Sequence, residues 1–483
     1  MLKPRNSRFD FVNPDIKDNK IYHGAMPRIG NYLNNHKENA RLYKFIADAP
    51  TTTMQRINGL ITGNIPAFID AGENFAATEI HEDNLLSQLN TQNRSTILLG
   101  DDTWIKLLPN TFTRTFEMDS FDVKDLDTVD STIKPKLFEE LKTNNFTLLI
   151  SHFLGVDHCG HRYGPNHPEM RRKLNEMDQI VAEVVESLDD KTVLFVFGDH
   201  GMTEGGDHGG DANLEVEAAL FVYSKKPLPR SSSDTYSTVS QIDLLPTISL
   251  LLDSPIPFSN LGAIIEDLFE QTKVGIAREM NVMQVIRYVS TYKIENPTVQ
   301  RSIKHAIQNY ESQLETDSST IDKEIIHELR RLIIGTINNF DMSLIYIGLA
   351  SFTEALLSVC VLLSGYKTSL LVFIIFRTGV LFLQYAIYLG GMAREDNSIL
   401  TYMAIYLSIA YSAVVVLDRL IYSRWTKDLF ELAPTLLPVL LCVGLFSNSF
   451  IIYGAITSRF LLTSIMVIEG IRLLQKKWQV DQD

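Results

Sequence analysis

The sequence predicts an α/β domain, with a mostly parallel sheet flanked by helices, followed by an α-helical polytopic membrane domain. Three observations lead there. Through the first two-thirds of the chain, apolar runs of strand length alternate with polar helical stretches; in the last third, long apolar segments follow one another; and a mean hydropathy of +0.02 averages these two unlike parts. With 483 residues, 45% of them hydrophobic and 21% charged, the chain has too much core material for a disordered tail or a small disulfide-stapled module. A net charge of -14 argues against nucleic acid as a partner. The cysteines, Cys159, Cys360 and Cys442, give no readable disulfide framework.

The elements follow in order. Ala49 to Arg56 opens a helix that runs to about Ile61, with Thr62-Gly63 closing it, and Glu79 to Gln92 reads as a second helix. Ser95 to Gly100, Phe146 to Ile150 and Thr192 to Phe197 are apolar without alternation, as strands buried on both faces should be, and Arg171 to Leu188 is helical between the last two. Strands that alternate with helices imply parallel pairing, which gathers ligands at the carboxyl ends of the strands. After about residue 260 the strand signal stops, and segments such as Ile321 to Leu329 read as helix. We therefore expect a catalytic domain over 1–260, a helical connector over 261–340 and a membrane domain over 341–483.

Apolar segments at about 343–365, 369–391, 399–421 and 432–456 are each long enough for a hydrocarbon layer of ~30 Å, which needs about 20 residues, and Phe460 to Ile471 makes an ambiguous fifth. Lys367, then Arg419, Arg424 and Lys427, then Arg472, Lys476 and Lys477 put the first, third and final connections on the cytoplasmic side. The N-terminal domain is then expected in the lumen, where the acceptor sequons beginning at Asn93 and Asn145 could be used. Met1 to Asn6 carry no apolar leader. Glu354 and Arg377 fall inside the first two spans; an ion pair between helices and a contact to lipid headgroups both fit them.

Three clusters after predicted strands carry chemistry. Asp157 and His161 lie in Val156 to Pro165, Asp199 and His200 follow the strand that ends at Phe197, and His208 follows in Asp207-His208-Gly209-Gly210. Carboxylates and imidazoles converging at one sheet edge, with no thiolate set, make a zinc composition. A nucleophile comes from Thr51-Thr52-Thr53 at the start of a helix, where free N–H groups can hold phosphate oxygens and a metal can lower a hydroxyl's pKa. Capping preference alone does not rank the three threonines.

Pro50-x-x-Thr53 with Thr62-Gly63, Asp157-x-x-x-His161, Asp199-His200-Gly201 and His208 resemble the phosphodiesterase-like branch of the alkaline phosphatase superfamily. Ala49 to Arg56, Phe68 to Gly72, Gly100 to Trp104, Leu126 to Asp130 and His152 to Pro165 further resemble the GPI ethanolamine phosphate transferases, in particular those that act on the third mannose. The resemblance implies an alkaline-phosphatase-like fold and transfer of phosphoethanolamine from phosphatidylethanolamine to a mannose of the GPI precursor glycolipid, through a covalent intermediate on Thr53. It implies two Zn2+ ions, one held by Asp157, His161 and His208 and the other by Asp199, His200 and Thr53. It also implies a multi-pass protein of the endoplasmic reticulum membrane, with a lumenal catalytic domain and a small membrane accessory subunit. Asp101, Asp102 and Trp104 are either a turn with a packed indole or substrate contacts to the ethanolamine amine or the glycan. The match departs at the start, where a family zinc-ligand Asp falls on Arg5. We therefore expect no strand before Arg5, no anchor helix ahead of it, a membrane domain that stops short and a weakened second metal site. Two other readings share these residues: a zinc phosphodiesterase or phosphatase that delivers to water, and a truncated inactive form acting as a membrane scaffold.

Overall fold

The computed structural model describes residues 2–4, 9–15, 20–65, 79–119, 122–229, 236–291, 296–313 and 321–337. The expected membrane spans, with Glu354 and Arg377, lie outside these residues. Among the described residues no helix is long and apolar enough to cross a membrane.

In chain order, strand β1 (Leu2–Pro4) and helices α1 (Phe9–Val12) and α2 (Pro27–Asn35) precede β2 (Ala40–Ile46), α3 (Thr53–Thr62), α4 (Leu85–Thr91) and β3 (Thr96–Asp101). Then come α5 (Thr103–Leu107), β4 (Arg114–Met118), α6 (Thr128–Thr143), β5 (Leu148–Phe153), α7 (Gly155–Tyr163), α8 (Pro168–Ser187) and β6 (Val193–Phe197). The rest is α9 (Asn213–Val216), β7 (Glu217–Ser224), β8 (Ser237–Ser240), α10 (Leu244–Leu251), α11 (Val274–Thr291), α12 (Pro297–Gln313) and α13 (Ile321–Ile337).

The strands form one 8-stranded sheet in the order β4-β3-β5-β1-β6-β7-β2-β8. All neighbours pair in parallel except β7, which runs against both β6 and β2. Helices cover both faces, and the strand residues show why. Ile97, Leu99, Leu149, Leu194 and Val196 join one core with α6 and α8, whereas Leu98, Leu148, Ile150, Phe195 and Phe197 join another with α3, α4 and α10. Each central strand is thus apolar on both sides, which is the physical content of its unbroken hydrophobic run.

One expectation is corrected here. A strand does precede Arg5: Leu2–Pro4 lies between β5 and β6, in register Leu2↔Ser151, Lys3↔His152, Pro4↔Phe153 on one side and Leu2↔Val196 on the other. Two parallel strands with a gap between them would leave inner N–H and C=O groups unpaired, and a short third strand answers that demand. Arg5 itself lies outside the described residues.

Helices α11 to α13 contain no strand partner and share a core of Val282, Val285, Val289, Ile326, Leu329 and Ile333. Arg330 of α13 reaches Asp243, before α10, at 3.2 Å.

Candidate active site

Because β3, β5 and β6 run in parallel, their carboxyl ends share one edge of the sheet. The chain leaves β5 directly into α7, whose spacing of four residues places Asp157 and His161 on one face. It leaves β6 into Asp199 and His200, both fully buried. The segment 203–210 then returns to α7. Gly206 makes this possible: at a φ of +86° its backbone passes so close to Gly160 that a Cβ would sit 1.9 Å from the Gly160 carbonyl oxygen. His208 arrives by that return.

The four residues Asp157, His161, His200 and His208 are in one place. Donor atoms of Asp157, His200 and His208 all lie within 4.8 Å of one another. His161 Nε2 is 3.5 Å from Asp157 Oδ1 and 3.1 Å from His208 Nε2, and His208 Nε2 is 3.6 Å from the same carboxylate oxygen. The His200 and His208 rings stack with centroids 3.9 Å apart. Asp199 Oδ2 lies 3.7 Å from His200 Nε2.

The surrounding backbone sets the tautomers. His208 Nδ1 donates to Thr51 O at 2.8 Å, and His200 Nδ1 donates to Gly201 O at 2.8 Å. Since a carbonyl can only accept, each Nδ1 carries a proton, and the neutral form of each ring presents its Nε2 lone pair to the cluster. Burial pushes His200 down to about 3, so it stays neutral and able to ligate at physiological pH. Its Nε2 is buried and makes no hydrogen bond. Lone pairs from imidazoles aimed at a carboxylate oxygen, one of them in a buried ring without a hydrogen-bond partner there, fit a divalent ion with nitrogen and oxygen ligands.

The threonines divide their roles. Thr51 Oγ1 donates to Gly210 O at 2.8 Å and accepts from Gly209 N at 2.9 Å, so it braces the loop that brings His208 back. Thr52 is the N-cap residue of α3, and its hydroxyl donates to Gln55 Oε1. Thr53 is the first residue of α3 and is buried.

Two supporting residues were not among the expected site residues. Gln241 Nε2 donates to the Asp199 carbonyl at 2.6 Å, and Arg56 donates to Gln241 Oε1 at 3.3 Å. Arg56 lies three residues beyond Thr53 on α3, fully buried, and burial lowers its guanidinium to about 10. Asp101 and Trp104 are buried in the core: Trp104 donates its indole N–H to His152 Nδ1 at 3.0 Å, and Asp101 Oδ1 accepts from Thr103 N at 2.8 Å. Asp102 pairs with Lys106 at 2.6 Å.

Residues 80–228, which hold the sheet edge except for Thr53, match the family described as type I phosphodiesterase / nucleotide pyrophosphatase. A human protein named GPI ethanolamine phosphate transferase 3, catalytic subunit, is 42% identical over 328 residues, covering 64% of this chain and 30% of that protein. The Schizosaccharomyces pombe GPI ethanolamine phosphate transferase 3 is 45% identical over 295 residues, 60% of this chain and 32% of that protein. A type 2 transferase of Aspergillus oryzae is 40% identical over 243 residues, 46% of this chain and 28% of that protein. The chain therefore spans about 30% of the length of the curated relatives it matches. Over the matched residues, the chain is therefore similar to the GPI ethanolamine phosphate transferases.

Proposed function

We propose that this protein transfers phosphoethanolamine from phosphatidylethanolamine to a mannose of the GPI precursor glycolipid, the third one, with Thr53 as nucleophile. The observation that carries the reading is the convergence of Asp157, His161, His200 and His208 at the sheet edge, in a chain 40–45% identical to transferases of that name. The site takes two Zn2+ ions, one on Asp157, His161 and His208 and one on Asp199, His200 and Thr53. Bound zinc supplies Lewis-acid stabilisation of phosphoryl charge and lowers the pKa of a ligated hydroxyl.

The chain's own residues do the rest. Thr53 Oγ forms a bond to phosphorus as the diacylglycerol oxygen leaves with a proton, and phosphoethanolamine is held on the enzyme. The 6-hydroxyl of the mannose then attacks the same phosphorus, gives up its proton and releases Thr53. At the N-terminus of the ten-residue α3, backbone N–H groups face the phosphate oxygens. His208, fixed through Thr51, and His200, fixed through Gly201, keep their Nε2 lone pairs aimed inward through both steps. The protein is placed in the endoplasmic reticulum membrane as a multi-pass chain with this domain in the lumen. A small membrane accessory subunit is part of the proposal, in keeping with the human relative's name as a catalytic subunit.

Expression in cells lacking the third-mannose transferase, with labelled ethanolamine, tests this. Label on the GPI glycan, lost with Thr53→Ala, supports transfer. Label appearing only as free phosphoethanolamine would favour the phosphodiesterase reading that the match over residues 80–228 keeps open. Label in neither place would overturn both.

A further inference from the structure

We propose that the buried Asp130–Lys173 pair, with the segment 124–130, is a splint that sets the rotation of α7 and so positions Asp157 and His161. The inference rests on the reading that those two side chains hold a metal. It begins with a helix that lacks a cap of its own: Leu154, at the N-cap position of α7, makes no side-chain capping bond. The first N–H groups of a helix have no partner within it. Here Asp130, from α6, supplies one. Asp130 Oδ1 accepts from Leu154 N at 2.9 Å, and its two oxygens accept from Gly155 N at 3.3 and 3.2 Å. Lys173, from α8, holds the same carboxylate at 2.8 Å, and the two side chains are 1% and 0% exposed. Lys173 also reaches Asp127 at 3.2 Å and Glu176 at 2.9 Å, so its charge is matched on three sides.

The same segment continues along the helix. His158 Nδ1 donates to Asp125 O at 2.8 Å, and Arg162 donates to Lys124 O at 2.7 Å. These contacts fall at 154–155, 158 and 162, about one turn apart, and so define one side of α7. Asp157 and His161 each precede one of them by a single residue, about 100° round the helix. A roll of about 20° at a radius of about 5 Å would move both metal-facing side chains by roughly 2 Å. Metal ligands tolerate about 0.2 Å. Contacts spaced along the helix on one side block that roll. Gly155 shows how closely the parts fit: a Cβ there would lie 2.2 Å from Lys173 Cε and 2.4 Å from Asp130 Oδ2.

The test is a zinc titration of the detergent-solubilised full chain, stripped by chelation and followed with a competing chromogenic chelator. Three forms are compared: the parent, the double variant Asp130→Leu/Lys173→Met and Gly155→Ala. Exchanging a buried ion pair for apolar residues often leaves stability nearly unchanged. The double variant should nonetheless melt below the parent without metal, because the Leu154 and Gly155 N–H groups lose their acceptor, and at temperatures where it is folded it should need about 10- to 100-fold more zinc for half-saturation, the usual cost of losing an outer support of a metal ligand. Gly155→Ala, which displaces the pair without removing a charge, should shift the midpoint in the same direction. Should the double variant not fold, Asp130→Asn carries the same expectation, since it keeps an acceptor and loses the charge that Lys173 holds. A parent that takes up zinc while folded variants stay within twofold of it would overturn the splint alone. A parent that takes up none would overturn the metal reading and the splint with it.

Discussion

Three consecutive threonines show how little a residue's identity says before its neighbours are known. Thr51 ties the returning loop through Gly209 and Gly210, Thr52 occupies the N-cap and binds Gln55, and Thr53 opens the helix. Capping preference is the same for all of them, so only the long-range partners separate their roles. The convergence of Asp157, His161, His200 and His208 was legible because each follows a strand that the apolar pattern reveals. Trp104 was not, since an indole after a strand suits either a packed core or a substrate contact. Its surroundings favour packing: the ring is 1% exposed within the core, and its N–H serves His152. Trp104→Phe should therefore cost about 1–3 kcal/mol of stability, the price of leaving a buried acceptor unsatisfied. Under the proposed function, the KM for phosphatidylethanolamine should stay within twofold of the parent. Thermal unfolding and initial rates on the same preparation check this, and a raised KM at unchanged stability would make Trp104 a substrate contact instead.

At the scale of elements, the strands read from sequence are those buried on both faces. β3 and β6 nearly coincide with the predicted runs, while β5 overlaps its run at Leu148 to Ile150 and continues through Ser151 and His152, which no apolar pattern marks. β4 was invisible for the opposite reason: Arg114, Thr115, Phe116, Glu117 and Met118 are half-buried or exposed, so no apolar run marks the edge strand. β2 alternates only partly, and its parallel partner β8 is polar at every position but one. Helix α3 was read almost to its ends, since Thr62-Gly63 is a recognisable stop. Gly63 has a φ of +70° as the residue that ends the helix, and its N–H bonds to Gly59 O. A Cβ there would lie 2.2 Å from Asn260 Oδ1 and 2.6 Å from Leu245 Cδ2. Gly63→Ala should accordingly destabilise by more than the ~1 kcal/mol typical of alanine in the left-handed region, because Leu245 and Asn260 are both packed in place. Chemical denaturation should show a lower midpoint at unchanged slope. A variant as stable as the parent would mean that the segment around Asn260 yields freely.

Over the whole molecule, the features that the sequence hides are contacts between distant segments. Asp130 meets Leu154 across 24 residues, Gln241 meets Asp199 across 42, and Arg330 meets Asp243 across 87, none of which any local period can report. The last of these ties the helices α11 to α13 to the α/β domain. Asp243 is already engaged: Oδ2 accepts from Ser240 N at 2.9 Å, and Oδ1 accepts from Ala263 N at 2.9 Å as well as from Arg330. Arg330 in turn donates to His327 Nδ1 at 3.0 Å, and both members of the ion pair are buried. Removing one partner of such a pair strands the other, at a cost of about 3–5 kcal/mol. The loss should fall on the docking of α13 rather than on the sheet, because local opening draws on the contacts that hold that element. In Arg330→Met, amide exchange in α13 should therefore quicken about a hundredfold or more, the equivalent of about 3 kcal/mol, while β3, β5 and β6 keep the parent's protection. Asp243→Ala should do more damage than Arg330→Met, since it also orphans the N–H groups of Ser240 and Ala263, which lie beside Gln241 and its hold on Asp199. Unchanged exchange of α13 in Arg330→Met would mean that the apolar core shared by these helices holds them without the ion pair.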